Sequence, residues 1–128
     1  MNKGESLNCI FCNINKERII AENEGAIAIY DGFPVSQGHL LIIPKKHFSN
    51  YFEADPQTKE QLWKLIDQCK IIVDKKFNPD GYNIGINCGE AAGQTVMHLH
   101  IHLIPRYKGD IENPRGGVRG VIPHKRIY

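Results

Sequence analysis

Three of the six histidines in this 128-residue chain fall within five residues, in the segment 98–104, which reads HLHIHLI. Histidine titrates near neutral pH, so it can act there as a base, a nucleophile or a metal ligand. Because successive side chains of a β-strand point to opposite faces, a strand would place His98, His100 and His102 on one face, roughly 6.5–7 Å apart. Three imidazoles repel one another when protonated and bury little apolar surface. The spacing therefore indicates a catalytic or metal-binding site.

The segment directly before these histidines, residues 89–96, reads GEAAGQTV and is rich in small residues. Small residues let a ligand approach the backbone, whose N–H groups can then hold phosphate oxygens. Gln94 and Thr95 add hydrogen-bond donors without adding charge. Alone, the segment is typical of a surface loop, but next to the histidines we interpret it as a ligand-binding loop.

Two of the four cysteines, Cys9 and Cys12, have the Cys-x-x-Cys spacing of a metal or redox pair. Tetrahedral zinc takes four ligands from cysteine and histidine, so His47 and one of the three clustered histidines could complete a zinc site. A redox pair and two reduced thiols are the alternatives. We interpret Cys69 as a small core residue, because it lies in an apolar pattern with helical spacing.

The remaining pattern predicts a short helical turn at residues 8–16, one long helix and four strands. The strands are expected at residues 25–30, 39–44 and 82–87 and at the histidine segment. The helix should begin after Asp55, a good N-cap that is followed by Pro56, and end before residues 78–81. Asp31 lies in a turn-rich segment, where it is either a turn former or an acceptor for ribose hydroxyls. We expect an α+β fold in which an antiparallel sheet is backed by a helix.

Length and composition restrict the class of protein. The 128 residues fit a single domain, 1–128, with a core at about 8–107 and a mostly irregular C-terminal tail at 108–128. A net charge of +2 argues against binding along a nucleic-acid backbone. No apolar run approaches the ~20 residues of a membrane span, and the N-terminal residues do not resemble a signal peptide. We therefore expect a cytoplasmic protein with no nucleic-acid and no membrane partner.

Residues 98–104 match, at every position, the signature of the histidine-triad family of nucleotide hydrolases and transferases, His-φ-His-φ-His-φ-φ with φ apolar. The resemblance extends to residues 92–96 and 38–47 and covers roughly residues 8–107. With the Cys9-Ile10-Phe11-Cys12 segment, the chain is similar to the bacterial zinc-containing members. The resemblance implies an α+β meander sheet with one long helix and a short N-terminal helix, assembled as a homodimer with two nucleotide sites.

The resemblance also implies a reaction. His100 is the nucleophile that attacks the α-phosphorus of a nucleotide, and the nucleotidyl-histidine then transfers to water or another acceptor. Gln94, Thr95 and His102 hold phosphate oxygens, where negative charge develops. The residues implied to contact the sugar and the phosphate are Asp31, Asn87 and Gly93.

For the metal, the resemblance implies one structural zinc per chain, bound by Cys9, Cys12, His47 and His98. Four protein ligands leave no open position, so this zinc would not activate a water molecule. A catalytic metal held by all three clustered histidines has little support, because imidazoles spaced ~7 Å along a strand cannot all reach one ion.

The substrate class follows from branch features of the family. Residues 92–96 resemble the dinucleoside-polyphosphate hydrolases, so diadenosine tetraphosphate and similar molecules are the favoured substrates. Asp31 is a residue that resembles the nucleoside phosphoramidase branch. The C-terminal tail, however, contains no tryptophan, because the single tryptophan of the chain is Trp63. The missing tryptophan counts against the phosphoramidase branch. An adenosine phosphoramidase, a nucleotidyl transferase and a non-catalytic nucleotide-binding regulator are the alternatives.

Overall fold

A five-stranded antiparallel sheet, with the strand order β1-β2-β3-β5-β4, organises residues 8–128, the part of the chain that the computed structural model describes. One long helix, α1, covers part of one face. The elements, in chain order, are β1 Ile19–Glu22, β2 Ala26–Tyr30, β3 Leu40–Pro44, α1 Pro56–Phe77, β4 Gly81–Gly85 and β5 Ile101–Arg106. The α+β fold expected from the sequence, a meander sheet with one long helix, is confirmed.

Local signals set both ends of α1. The Asp55 side chain accepts a hydrogen bond from the amide of Thr58, and Pro56 occupies the first turn, where no N–H partner is needed. The helix ends at Asn78, whose φ of 52° places it in the left-handed region. Its apolar face, which includes the predicted core residue Cys69, is buried against the sheet. The predicted helix is therefore confirmed in position and in orientation.

Both faces of the central strands are covered, which explains why β2 and β3 show no polar alternation. On the helix side, the core includes Leu99, Ile101 and Leu103. On the opposite side, a smaller cluster made of Ile27, Ile29, Leu41 and Ile43 packs against three residues of the N-terminal segment, Phe11, Ile14 and Ile19. The N-terminal segment is therefore the element that covers the second face.

Two local expectations differ at the N-terminus. Residues 8–12 form a turn rather than a helix, because the Cys9 carbonyl accepts bonds from the Cys12 amide and the Asn13 side chain; a 3-10 helix follows at Lys16–Arg18. The strand β1 was not predicted. It is a four-residue edge strand whose pairing with β2 shifts register between Ile19 and Ala21, so it carries no two-residue alternation.

The histidine strand is also shorter than expected. Ladder pairing of β5 starts at Ile101, so only His102 of the three histidines lies in the strand. On β3, Pro44 faces the segment before Ile101 and has no N–H to donate. The Pro44 carbonyl is bonded to the His98 ring, and the amide of Leu99 donates to the Phe48 carbonyl rather than to β3. Strand β4 likewise ends at Gly85, two residues before the expected end.

The C-terminal tail contains two short 3-10 helices, Gly117–Val121 and Pro123–Lys125, where the sequence predicted mostly irregular chain. Gly116 has a φ of 88°, and a Cβ there would collide with the Arg126 carbonyl. Within residues 8–128, no helix has the length and apolar character needed to cross a membrane.

Candidate functional site

Four potential metal ligands from three parts of the chain meet at the N-terminal turn. The donor atoms of Cys9, Cys12, His47 and His98 all lie within 4.8 Å of one another. Nδ1 of His98 is 3.4 Å from Sγ of Cys9 and 3.1 Å from Nδ1 of His47, which is 3.2 Å from Sγ of Cys12. Ligands of one tetrahedral zinc are separated by about 3.3–3.8 Å. The cluster could therefore hold a metal ion of this kind.

The second nitrogen of His98 supports a ligand role. Nε2 lies 2.9 Å from the Pro44 carbonyl, which can only accept, so Nε2 carries the proton and Nδ1 presents a lone pair to the cysteines. A metal-bound histidine typically donates its other N–H to such a partner. Burial lowers the pKa of His98, helped by His47 and His100 and opposed by the bond to the Pro44 carbonyl, which favours the neutral ring at pH 7. His98 is thus held in the tautomer that a metal requires.

His100 has the opposite arrangement. Its Nδ1 lies 2.9 Å from the His98 carbonyl, so in the neutral form of the ring Nδ1 carries the proton and Nε2 carries the lone pair. The ring lines a cavity of about 530 Å³. Among the bonds formed by residues 8–128, none engages Nε2. The imidazole can therefore act as a nucleophile or a base from Nε2.

A second group of potential ligands, Asp31, His39 and His102, lies on the other side of His100. The amide of Val35 donates to Nδ1 of His39 at 3.1 Å, so the proton of a neutral His39 is on Nε2. Nε2 lies 2.9 Å from Nδ1 of His102 and 3.4 Å from Oδ2 of Asp31. Because Nδ1 of His39 accepts from Val35 and carries no proton, a metal bound at Nε2 would require an imidazolate, a ring with no proton on either nitrogen. These residues are therefore better described as a hydrogen-bond chain than as a metal site.

The hydrogen-bond chain of Asp31, His39 and His102 fixes the tautomer of His102. Nδ1 accepts from His39, so the proton is on Nε2, which is free to donate to a ligand in the cavity. Burial lowers the pKa of His102 to about 4, helped by His100 and His39 and opposed by Asp31. Burial also lowers the pKa of His39, against the effect of Asp31. At neutral pH both rings are uncharged donors.

The structure brings most of the predicted ligand-binding residues to one cavity, whose polar lining includes Asp31, Asn87, Gly93, Thr95, His100 and His102. Apolar side chains form the rest of the wall, among them Ile10, Leu41 and Val96. Phe33 lies at this cavity and is 91% exposed, so its ring is available for stacking. The lining of the cavity thus combines apolar side chains with polar groups that include His100.

Gln94 is the predicted site residue that does not line this cavity. Its side chain is 4% exposed and bonds three backbone groups, accepting from the Gly89 amide and donating to the carbonyls of Ser49 and Val96. Contact with a ligand would require breaking these bonds. Its geometry is that of a residue that holds the 89–96 loop against the rest of the chain.

His39 is a site residue that sequence reasoning missed. It is 2% exposed and bonded to His102. The available signal was its position as the single polar residue in the apolar segment 39–44. A buried histidine in such a segment needs a partner, but sequence alone does not indicate that the partner is 63 residues away.

Comparison with known proteins agrees with this geometry. Residues 13–109 match the family model described as HIT domain. The chain is 43% identical over 110 residues to an uncharacterized HIT-like protein of Methanocaldococcus jannaschii, covering 81% of this chain and 83% of that protein. A crystal structure of a Zn-bound histidine triad family protein from Mycobacterium smegmatis superposes with a TM-score of 0.75 at 35% identity, covering 83% of this chain and 80% of that one.

Two relatives carry names that state an activity. A bis(5'-adenosyl)-triphosphatase of Dictyostelium discoideum is 36% identical over 100 residues, which are 78% of this chain and 67% of that protein. An adenosine 5'-monophosphoramidase of Schizosaccharomyces pombe is 36% identical over 104 residues, which are 78% of this chain and 75% of that protein. Because the family model spans more than half of the chain, this protein belongs to the HIT domain family.

Proposed function

We propose that this protein is a nucleotide hydrolase that acts at the α-phosphate through a nucleotidyl-histidine intermediate on His100. The observation that carries the proposal is the tautomer of His100, whose Nδ1–H is held by the His98 carbonyl while the Nε2 lone pair belongs to a ring that lines the cavity. A neutral imidazole with one free nitrogen is a competent nucleophile toward phosphorus.

The reaction proceeds in two displacements. The Nε2 lone pair forms a bond to the α-phosphorus, and the bridging P–O bond breaks, so that the leaving phosphate takes the electron pair. The ring of His100 gains positive charge in this step, and the His98 carbonyl at Nδ1 stabilises that charge. Water then attacks phosphorus and gives up a proton to the solvent, the N–P bond breaks, and its electron pair returns to Nε2.

His102 assists by donating its Nε2–H to an oxygen of the phosphate, where negative charge accumulates. Because the pKa of His102 is about 4, the ring enters the reaction as a neutral donor. His39 acts on His102 as a positioning residue, since it occupies Nδ1 of His102 and so keeps the proton on Nε2. Thr95, Asn87 and Gly93 line the same cavity and are the proposed further contacts for phosphate and sugar.

The base of the nucleoside lies against the apolar side chains of the cavity in this proposal. Ile10, Phe33 and Leu41 offer apolar and aromatic surface to a base. Asp31 accepts from the Phe33 amide with Oδ1, while Oδ2 lies 3.4 Å from His39. Its carboxylate lines the cavity and has lone pairs in excess of these contacts, which supports its role as an acceptor for ribose hydroxyls.

Dinucleoside polyphosphates are the proposed substrates, supported by the relative named bis(5'-adenosyl)-triphosphatase and by the resemblance of residues 92–96. The second candidate is an adenosine phosphoramidase, favoured by the relative of that name and by Asp31. The two differ in the leaving group at the same phosphorus, which is a phosphate in one reaction and an amine in the other.

A comparison of two substrates that differ in the leaving group tests the proposal. Diadenosine tetraphosphate and an adenylyl amine are hydrolysed separately, and the reaction is quenched in alkaline denaturant to trap the adduct for peptide mass analysis. We expect AMP attached at His100 and a higher kcat/KM for the dinucleotide. A higher kcat/KM for the amine would make the protein a phosphoramidase. Absence of both turnover and adduct would leave a nucleotide-binding regulator.

We propose zinc as the metal of the Cys9, Cys12, His47 and His98 cluster. The spacing of the donor atoms, the mixture of sulfur and imidazole ligands and the Zn-bound relative support it. When bound, the ion would supply a structural link between the N-terminal turn and the segment that carries His100. With four protein ligands, it would take no part in the displacement at phosphorus.

We further propose a homodimer located in the cytoplasm, with residues 1–128 forming one domain. Strand β4 lies at the edge of the sheet, and Ile84 on this strand is 42% exposed. An exposed edge strand with apolar side chains favours pairing with another chain.

Gln94 is a positioning residue in this proposal, and its replacement by alanine should lower the free energy of unfolding by about 1–3 kcal/mol. The Gly89 amide and the carbonyls of Ser49 and Val96 would lose their partner, so the loop would loosen and KM should rise. Urea unfolding and steady-state kinetics measure both effects. Gln68→Ala, on the exposed face of α1, is the control. Unchanged stability with a lower kcat would instead place the Gln94 amide on the reacting phosphate.

A further inference from the structure

Phe11 connects the cysteine turn to the proposed nucleophile. It lies between Cys9 and Cys12 in sequence, and the centroid of its ring is 5.1 Å from that of His100 at an interplanar angle of 61°. The same ring meets His98 edge-on, with a centroid separation of 6.1 Å and an angle of 86°. One aromatic side chain from the turn therefore contacts both a potential metal ligand and the ring that we propose to attack phosphorus.

The position of Phe11 depends on how the turn is fastened to the sheet. Residues 8–12 pair with no strand of the described chain, and the first strand begins only at Ile19. The contacts of the turn with the sheet include the apolar packing of Phe11 against the small cluster on β2 and β3. They also include Cys9 and Cys12, whose sulfur atoms lie beside His98 and His47. Closing this cluster with a metal would hold the turn, and with it Phe11, against the sheet.

The contact has a consequence for the geometry of His100. The χ2 torsion of histidine is broad and roughly two-fold, so a ring flip would put Cδ2 in the place of Nδ1 and break the bond to the His98 carbonyl. An edge-to-face aromatic contact favours one orientation of the ring plane. Phe11 and the His98 carbonyl thus restrain the ring at two separate points.

We propose that Phe11 is a positioning residue that couples closure of the cysteine–histidine cluster to the orientation of His100. The inference rests on the proposed function for the identity of the nucleophile, but the contact itself can be measured without turnover. In the closed cluster, Phe11 holds the His100 ring with Nδ1–H on the His98 carbonyl and Nε2 available for attack. In an open cluster, the turn and Phe11 move away and the ring loses one of its two restraints.

The test combines Phe11→Leu with removal of the metal by a chelator. Phe11 also lines the cavity. Phe11→Leu keeps an apolar side chain there and in the packing, so the protein should fold and KM should change little, while kcat should fall about 2- to 10-fold. Chelation should lower kcat of the wild type by a similar factor but have little further effect on Phe11→Leu. Phe11→Tyr keeps the aromatic edge and should restore kcat. Phe52→Leu, on an exposed aromatic residue remote from the cavity lining, is the control.

Nuclear magnetic resonance supplies a readout that does not depend on activity. The ring protons of His100 should show a ring-current shift that disappears both in Phe11→Leu and after chelation, while the exposed His124 signals stay unchanged. A shift that survives chelation, or losses of kcat that multiply when the two changes are combined, would overturn the coupling. A change in KM alone would make Phe11 a substrate contact. If no adduct forms on His100 while the shift behaves as expected, the proposed function fails and the coupling stands.

Discussion

Replacement of His100 by alanine should lower kcat by at least about 10³-fold, while nucleotide affinity stays within a few-fold of the wild type. The reason is that Nε2 of His100 forms the bond to phosphorus in the proposed reaction, whereas binding rests on other groups that line the cavity. Single-turnover kinetics on a dinucleoside polyphosphate measures the chemical step, and calorimetric titration with a non-hydrolysable analogue measures affinity.

His124→Ala is the matched control for this variant, because His124 is exposed in the C-terminal tail and is absent from the cavity lining. The adduct seen with the wild type must also be missing from His100→Ala. Wild-type turnover by the His100→Ala variant would contradict the mechanism. The other two histidines among the described residues that line the cavity, His39 and His102, each have Nδ1 occupied as an acceptor.

The double replacement Cys9→Ser and Cys12→Ser should reduce bound zinc from about one per chain to a trace and lower stability by several kcal/mol. Serine is close to cysteine in size but does not ionise at neutral pH, so two of the four ligands are lost with little change in packing. Because the site would join residues separated by up to 89 positions, its binding free energy contributes to folding. Elemental analysis and urea unfolding measure the two effects.

Cys88→Ser is the control for the zinc variant, because Cys88 is also partly buried but lies outside the four-residue cluster. It should keep the full zinc content and unfold at nearly the same urea concentration as the wild type. A metal-free double variant with undiminished stability would refute the structural role. Full zinc content in the double variant would mean that the ion is held elsewhere.

Local sequence determined the elements of the fold well. Asp55 and Pro56 predicted the start of α1. The two-residue spacing that places the three histidines on one face leaves Leu99, Ile101 and Leu103 on the other, and these three residues lie in the core. These features depend on neighbours a few residues away, through capping and side-chain periodicity. The strand β1 was not predicted, because a short edge strand with a shifted register shows no alternation of apolar and polar residues.

The different environments of the three clustered histidines follow from contacts that are remote in sequence. The resemblance to a family implied separate roles, but the residues alone presented three similar side chains on one face. Pro44 holds His98 in its tautomer from 54 residues away, and His39 holds His102 from 63 residues away. His100 alone is set locally, by the carbonyl two residues before it.

Gln94 illustrates the same division. Its residue type and its place in a small-residue loop indicated a ligand contact, whereas the folded chain buries its amide and pairs it with Ser49, 45 residues away. Residue types and spacing thus determined which side chains were available for chemistry. The tertiary structure decided which nitrogen of each histidine carries its proton, because a tautomer depends on the donor or acceptor placed opposite by folding.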